Sequence, residues 1–192
     1  MFKIDLDWLK PLVNLKSLFI SGLGFITNTD GLLSLTKLVH FYVHETYIHN
    51  LTTYRNNLNL EKMNIRENVC LSHNVDDLLD IQYNIKELES CRKMKRFVCD
   101  NCVEFDVIKS WKNLNYLEIK SMNVDFSQTD FPYLNSLKMY SCDIFNMNHL
   151  SAPNLEQINI RESRFDDHVN LSFKAYPKLG INNIERLRLI PC

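Results

Sequence analysis

The sequence predicts an α/β solenoid: a right-handed superhelix of about eight coils, with a parallel β-sheet on the concave side and loops and short helices on the convex side. Three observations lead there. The apolar pattern L-x-x-L-x-L-x-x-N/C-x-L can be laid on the 192-residue chain eight times, starting at Leu15, Leu38, Leu60, Met94, Leu114, Leu134, Leu155 and Ile184. The starts lie 23, 22, 34, 20, 20, 21 and 29 residues apart, the period range of repeat architectures. Leu is the commonest residue at 27, while Gly (4) and Pro (5) are scarce, which disfavours folds built on glycine-rich phosphate loops.

Each column of the pattern has a physical reason. Positions one, four and six of the eight copies make 24 sites, and all 24 are apolar, where a 45% hydrophobic chain would give about 11. Positions four and six point the same way on a short strand. One such strand cannot bury its face alone, so stacked copies share a core. Position nine reads Leu23, Thr46, Asn68, Cys102, Met122, Cys142, Ser163 and Cys192. Small polar or thiol side chains suit a buried turn, where they satisfy backbone groups of the neighbouring coil. Position eleven is apolar except at Glu104.

On these residues, most clearly Leu134 to Ile144 and Leu155 to Phe165, the chain resembles the leucine-rich repeat superfamily over residues 9–192. Copies one and two add a threefold lead-in, Leu9-Leu12-Leu15-Leu18-Ile20 and Leu32-Leu35-Leu38-Phe41-Val43, similar to the repeats of internalins and of phosphatase-regulating scaffolds. Later copies are entered through Pro132-x-Leu134, Pro153-x-Leu155 and Pro177-x-Leu179, as in the irregular repeats of eukaryotic substrate adaptors. No subfamily fits throughout. The resemblance implies a leucine-rich repeat solenoid and no subfamily-specific function.

In chain order, residues 1–14 are expected to form an N-terminal capping segment, with Trp8 over the first coil, and residues 15–192 the repeat domain. Val75, Leu78, Ile81, Ile85 and Leu88 recur at three and four residues, which predicts a convex-side helix with Asn74 as N-cap. The rival reading, an extra repeat at Leu78-x-x-Ile81-x-Tyr83, would leave starts only 18 and 16 residues apart. Asp166 to Asn183 is expected to hold a longer loop or short helix. The chain stops at Cys192, position nine of the eighth copy, so the repeat domain is expected to be incomplete: a fragment, a truncated product or part of an assembly.

With 22 basic and 23 acidic residues, the chain is not a generally basic nucleic-acid binder. No apolar leader or 18-residue apolar run is present, so the expected setting is cytoplasmic or nuclear, without a membrane, and the six cysteines are expected to be reduced. Asn50-Leu-Thr52 and Asn170-Leu-Ser172 match the glycosylation pattern, as chance allows among 22 Asn. Cys99-x-x-Cys102 invites a metal or redox reading, but the repeat assigns Cys99 to position six and Cys102 to position nine. His40 and His44 lie four apart on an expected strand, roughly 13 Å, too far to share one ion. Gly22-Leu-Gly24 is a turn. Neither a catalytic constellation nor a cofactor motif is found, and the expectation is a non-enzyme with no metal or cofactor.

Positions three, five and seven define the concave face. From copy three onward they hold eight basic residues (Lys62, Arg66, Arg96, Lys120, Lys138, Arg161, Arg186, Arg188) and two acidic ones, Asp100 and Glu118. Glu45, Glu67 and Glu162 at position eight line one rim, and Phe19, Tyr42, Tyr116 and Tyr140 interleave with the cations. Tyr and Arg dominate protein interfaces. The expected function is a non-catalytic protein-interaction module or scaffold. Its binding residues would be Tyr42, Arg66, Arg96, Tyr116, Lys120, Lys138, Tyr140 and Arg161, and its partner an acidic or phosphorylated protein segment. Three alternatives stay open: the substrate-receptor part of an F-box-type ubiquitin-ligase adaptor, nucleic-acid binding through the basic columns, and an extracellular recognition repeat.

Overall fold

The computed structural model describes residues 3–48, 54, 57–66, 83–165, 176–179 and 184–189. Eight concave strands follow the eight repeat copies: β2 (Ser17–Asn28), β3 (His40–Ile48), β4 (Lys62–Arg66), β6 (Arg96–Asp100), β8 (Tyr116–Lys120), β10 (Ser136–Tyr140), β12 (Gln157–Phe165) and β13 (Ile184–Leu189). They pair in parallel, neighbour to neighbour. Through the first seven the register matches the repeat: Ser17, His40, Lys62, Arg96, Tyr116, Ser136 and Gln157, all position three, stand in one row. The eighth copy does not keep it. Ile184, expected at position one, lies opposite Ile158 at position four, and the ladder is irregular beyond.

A second row of short strands follows the corner of each coil: β1 (Lys3–Asp5) beside the end of β2, β5 (Tyr83–Asn84) beside β7 (Cys102–Val103), and β9 (Asn123–Asp125), β11 (Asp143–Phe145) and the end of β12 in turn. Between the rows the chain turns at position eight, where Gly22, Glu45, Asn101, Ser121, Ser141 and Glu162 all have φ of +51° to +67°. Three successive turns are tied to the next coil: Asn101 N–H donates to Lys120 O at 2.8 Å, Ser121 N–H to Tyr140 O at 2.9 Å, and Ser141 N–H to Arg161 O at 2.9 Å. Position nine performs its expected task. Ser163 Oγ accepts from Cys142 N–H at 3.1 Å and donates to Arg161 O at 2.9 Å.

The convex wall corrects the helix expectation. Tyr83–Asn84 is strand and Lys86–Leu88 a 3₁₀ turn; the earlier part, residues 74–82, lies outside the described residues. Ile85, Leu88, Cys91 and Met94 are fully buried at intervals of three, and each N–H from Leu88 onward donates to the carbonyl three residues back. The same ladder links Leu9, Leu12 and Leu15, and again Leu32, Leu35 and Leu38. A period of three is that of a 3₁₀ turn, and over a short window it resembles an α-helical face. Among the described residues the α-helix is α1 (Phe105–Lys109), of five residues. It explains Glu104. That residue takes φ +71° ahead of the helix, and Phe105, one place on, enters the core against Phe126 at 5.3 Å.

The core columns are dry: Leu38, Phe41, Leu60, Met63, Met94, Phe97, Leu114, Leu117, Leu134 and Leu137 have no exposed surface. Each such side chain stabilises the fold by about 1.5–3 kcal/mol. At the N-terminal end, Leu6 and Leu9 are the buried residues, and Trp8 stands 61% exposed instead of covering the first coil. Of the second long segment, residues 176–179 are described and form a turn, with Tyr176 and Leu179 buried. The rest of that segment, the glycosylation patterns at Asn50 and Asn170, and Glu67, Asn68, Cys70 and Cys192 lie outside the described residues.

Candidate functional site

Strand alternation lifts positions three, five and seven onto the concave face in three rows across the strands, about 4.8 Å apart from strand to strand. The middle row runs Phe19, Tyr42, Asn64, Val98, Glu118, Lys138, Asn159. Most of these side chains are at least partly exposed, but Val98, Ser136 and Asn159 are buried, against the expectation for the whole face. Val98 has a physical reason. Arg66 on β4 reaches over it to Glu118 on β8, and the two long side chains meet above the short one.

That bridge is the centre of a closed network. Arg66 Nη2 donates to Glu118 Oε1, and the Tyr116 hydroxyl donates to Glu118 Oε2. The Arg96 guanidinium lies 3.5 Å from the Tyr116 ring centroid, and Lys138 Nζ approaches the same ring at 5.8 Å. Burial, and then the hydrogen bond to Glu118, push the Tyr116 hydroxyl up to about 12. Arg66, Arg96 and Tyr116 are therefore brought together with one another and with Glu118, which sequence reasoning had set down only as an opposing charge. The missed signal is weak: a carboxylate two strands from an arginine and 52 residues away in sequence.

The C-terminal end of the face stays cationic. Lys120 is exposed and, among the described residues, forms no ion pair. Arg161 Nε donates to Asn159 Oδ1 at 3.0 Å, and its guanidinium lies 5.8 Å from the Tyr140 ring. The other end differs. Phe19 is 68% exposed, Tyr42 beside it is half-buried, and His40 and His44 flank Tyr42 on its strand. Ser17 Oγ lies 3.2 Å from His40 Nδ1. Tyr42 is thus separated by strands β4 and β6 from Lys120, Lys138 and Arg161, while Arg66 stands on the strand next to it.

The histidines lie on one strand, four residues apart, as the repeat requires. Among the described residues no group of three or more His, Cys, Asp or Glu is placed to hold a metal ion, and no helix is long and apolar enough to cross a membrane. Cys91 and Cys142 are free thiols, as expected, but two other cysteines depart from the reduced state. Cys99 and Cys102, both buried, are joined in a disulfide with Cα atoms 6.3 Å apart. Positions six and nine both point into the coil, so two cysteines at those places face each other.

No family model matches the sequence, and no curated protein does. Solved structures do match in shape. An internalin (inlF) of Listeria monocytogenes superposes with a TM-score of 0.71 at 18% identity, covering 92% of this chain and 49% of its own. Internalin C2 of the same organism gives 0.71 at 17%, covering 99% and 76%. The plant peptide hormone receptor RGFR1, in complex with RGF2, gives 0.57 at 18%, covering 85% and 27%. The chain thus spans about half the length of the first internalin and about a quarter of the receptor. Repeat pattern, coil geometry and structural likeness agree that this chain folds as a leucine-rich repeat solenoid, and no subfamily is singled out.

Proposed function

We propose that the protein is a non-catalytic protein-interaction module that takes an acidic or phosphorylated segment across its concave sheet. One observation bears the reading. Lys120, Lys138 and Arg161 stand on the adjacent strands β8, β10 and β12; of the two carboxylates in their rows, Glu118 beside Lys138 is already held by Arg66 and Tyr116, and Asp100 stands opposite Lys120. An anion arriving there meets three cations beside one further carboxylate, Asp100, an excess of positive charge that steers association and selects charge. A receptor of the same fold, solved in complex with RGF2, is consistent with this use of the solenoid.

Of the eight residues named from sequence, Lys120, Lys138, Tyr140 and Arg161 form the contact surface in this reading. Arg66, Arg96 and Tyr116 hold its middle in shape. The test is a pull-down from the protein's own host extract with wild type and the Lys120→Glu/Lys138→Glu variant. Selective loss of a bound protein is expected, and identical partner sets would refute the reading. A salt titration with single-stranded oligonucleotides separates the nucleic-acid alternative: tight binding that weakens steeply with salt would favour nucleic acid instead.

A further inference from the structure

The concave face is not chemically uniform along its length. At positions three, five and seven, β2 and β3 present Ser17, Phe19, Ser21, His40, Tyr42 and His44, with no Lys, Arg, Asp or Glu among them. Phe19 is the most exposed of the large apolar side chains in the described residues, and of those exposed ones it alone stands on the concave rows. Two serines flank it on its own strand, which leaves its ring open on both sides. The opposite end carries Lys120, Lys138 and Arg161. Between the two ends lies the Arg66–Glu118–Tyr116 network, in which Arg66 pairs with Glu118 and Arg96 stacks on Tyr116, with Asp100 at its edge opposite Lys120.

We infer that one extended partner segment is read at two stations, an apolar or aromatic side chain seating on Phe19 and Tyr42 and an acidic or phosphorylated stretch lying on Lys120, Lys138 and Arg161. This rests on the proposed function and adds to it the partner's composition and spacing. The apolar station needs a hydrophobic anchor, because burying Phe19 is favourable only against an apolar group. The charge at the other station selects an acid. Strand order sets the distance between them. From β3 to β8 is three strand steps, about 14 Å, and from β2 to β12 six steps, about 29 Å. At about 3.3 Å per extended residue, anchor and acidic stretch lie roughly four to nine residues apart, centred near six.

Fluorescence anisotropy with labelled synthetic peptides tests this on the full chain. The probes carry one Trp and a Glu-Glu-phosphoserine tract at spacings of about two to twelve residues, in both orders. Control peptides have Trp replaced by Ser, or the acids by Gln. Wild type, Phe19→Ser and Lys138→Glu/Arg161→Glu are compared, with Trp8→Ser as a second exposed aromatic. Near the six-residue spacing, the two-part peptide is expected to bind at least tenfold tighter than either control. Phe19→Ser should abolish the gain from Trp alone, the charge reversal the gain from the acids alone, and Trp8→Ser neither. Equal binding with and without Trp, or no dependence on spacing, overturns the two-station inference and leaves the acidic-partner reading standing. A Phe19→Ser substitution that turns a dimer into a monomer, with peptide affinity unchanged, assigns that end to a second copy and overturns the inference. Failure of every acidic peptide overturns the proposed function, and the inference with it.

Discussion

Replacing Gly31 with alanine probes how closely the first two convex turns are packed. A Cβ at residue 31 would lie 1.8 Å from the Leu6 carbonyl oxygen and 2.7 Å from its carbon. An ordinary carbon–oxygen contact is about 3.3 Å, so the Leu6 backbone must retreat by about 1.5 Å. Leu6 N–H donates to Asn28 O at 3.1 Å, and Leu6 O accepts from Leu9 N–H at 2.9 Å; a shift of that size strains both bonds. Leu6, Leu9 and Leu32 are fully buried. Complete detachment would expose Leu6 and Leu9, about 3–6 kcal/mol in all, and partial movement should cost about 2–4 kcal/mol. Gly22 supplies the control. Its φ is +67° and nothing lies within 4 Å of its missing Cβ, so Gly22→Ala meets backbone strain alone, about 1 kcal/mol. Urea unfolding followed by circular dichroism measures both, and hydrogen exchange at the Leu6 and Leu9 amides reports local detachment, since solenoid ends can open alone. A Gly31→Ala variant no less stable than Gly22→Ala, with unchanged protection at Leu6 and Leu9, would refute the reasoning.

Other perturbations read other parts of the molecule. Tyr116 holds its proton up to about 12 in the fold, against 10.0 ordinarily, so its contribution to stability is fully present below pH 10 and is lost as pH rises toward 12. Ultraviolet titration of tyrosinate follows it, and Glu118→Gln should lower that titration by removing a neighbouring charge. Ser141 sits at φ +51°, where a β-branched residue is strained; Ser141→Val should lower stability by about 1–2 kcal/mol in thermal unfolding. Burial pushes the Cys91 thiol up to about 11 and raises Cys142 as well. In a Cys70→Ser/Cys192→Ser background a polar thiol reagent should therefore label almost nothing in the native protein. It should label two thiols on unfolding and four once Cys99–Cys102 is reduced; four without reductant would contradict the disulfide. Asn113 Nδ2 donates to Arg92 O at 3.1 Å, and Asn113→Ala should cost about 1 kcal/mol at most, read from the urea midpoint.

That asparagine belongs to a column the repeat pattern did not contain. Asn14, Asn59, Asn113, Asn154 and Asn183 each immediately precede position one. Asn59 bonds Thr36 O at 3.2 Å, Asn113 bonds Arg92 O, and Lys37 and Lys93 donate to Asn14 and Asn59 from the next coil. Part of the Asn excess is thus a ladder that staples coil to coil along the convex corner. It was not legible in the sequence because copies two, four and six carry Lys37, Lys93 and Tyr133 there, and only stacking shows that Lys37 completes Asn14. Position eight was hidden for a related reason. Gly22, Glu45, Asn101, Ser121, Ser141 and Glu162 share no side-chain chemistry, only a backbone conformation.

The sequence by itself determined the repeat, the concave strands and the apolar columns. A solenoid coil touches only its neighbours, so its core is written locally as a spacing of apolar residues, and local spacing can be counted. Tertiary structure decided what lies between coils. It set Arg66 against Glu118 over Val98, turned a threefold apolar rhythm into 3₁₀ turns, and shifted the eighth strand out of register. Those outcomes depend on side-chain reach and on insertions between strands, which a column of residue types does not encode. The split into an aromatic and a cationic end lies at the boundary between the two. Its residues are legible in the sequence, but which cations remain open to a partner is settled only when neighbouring strands bring the acids within reach.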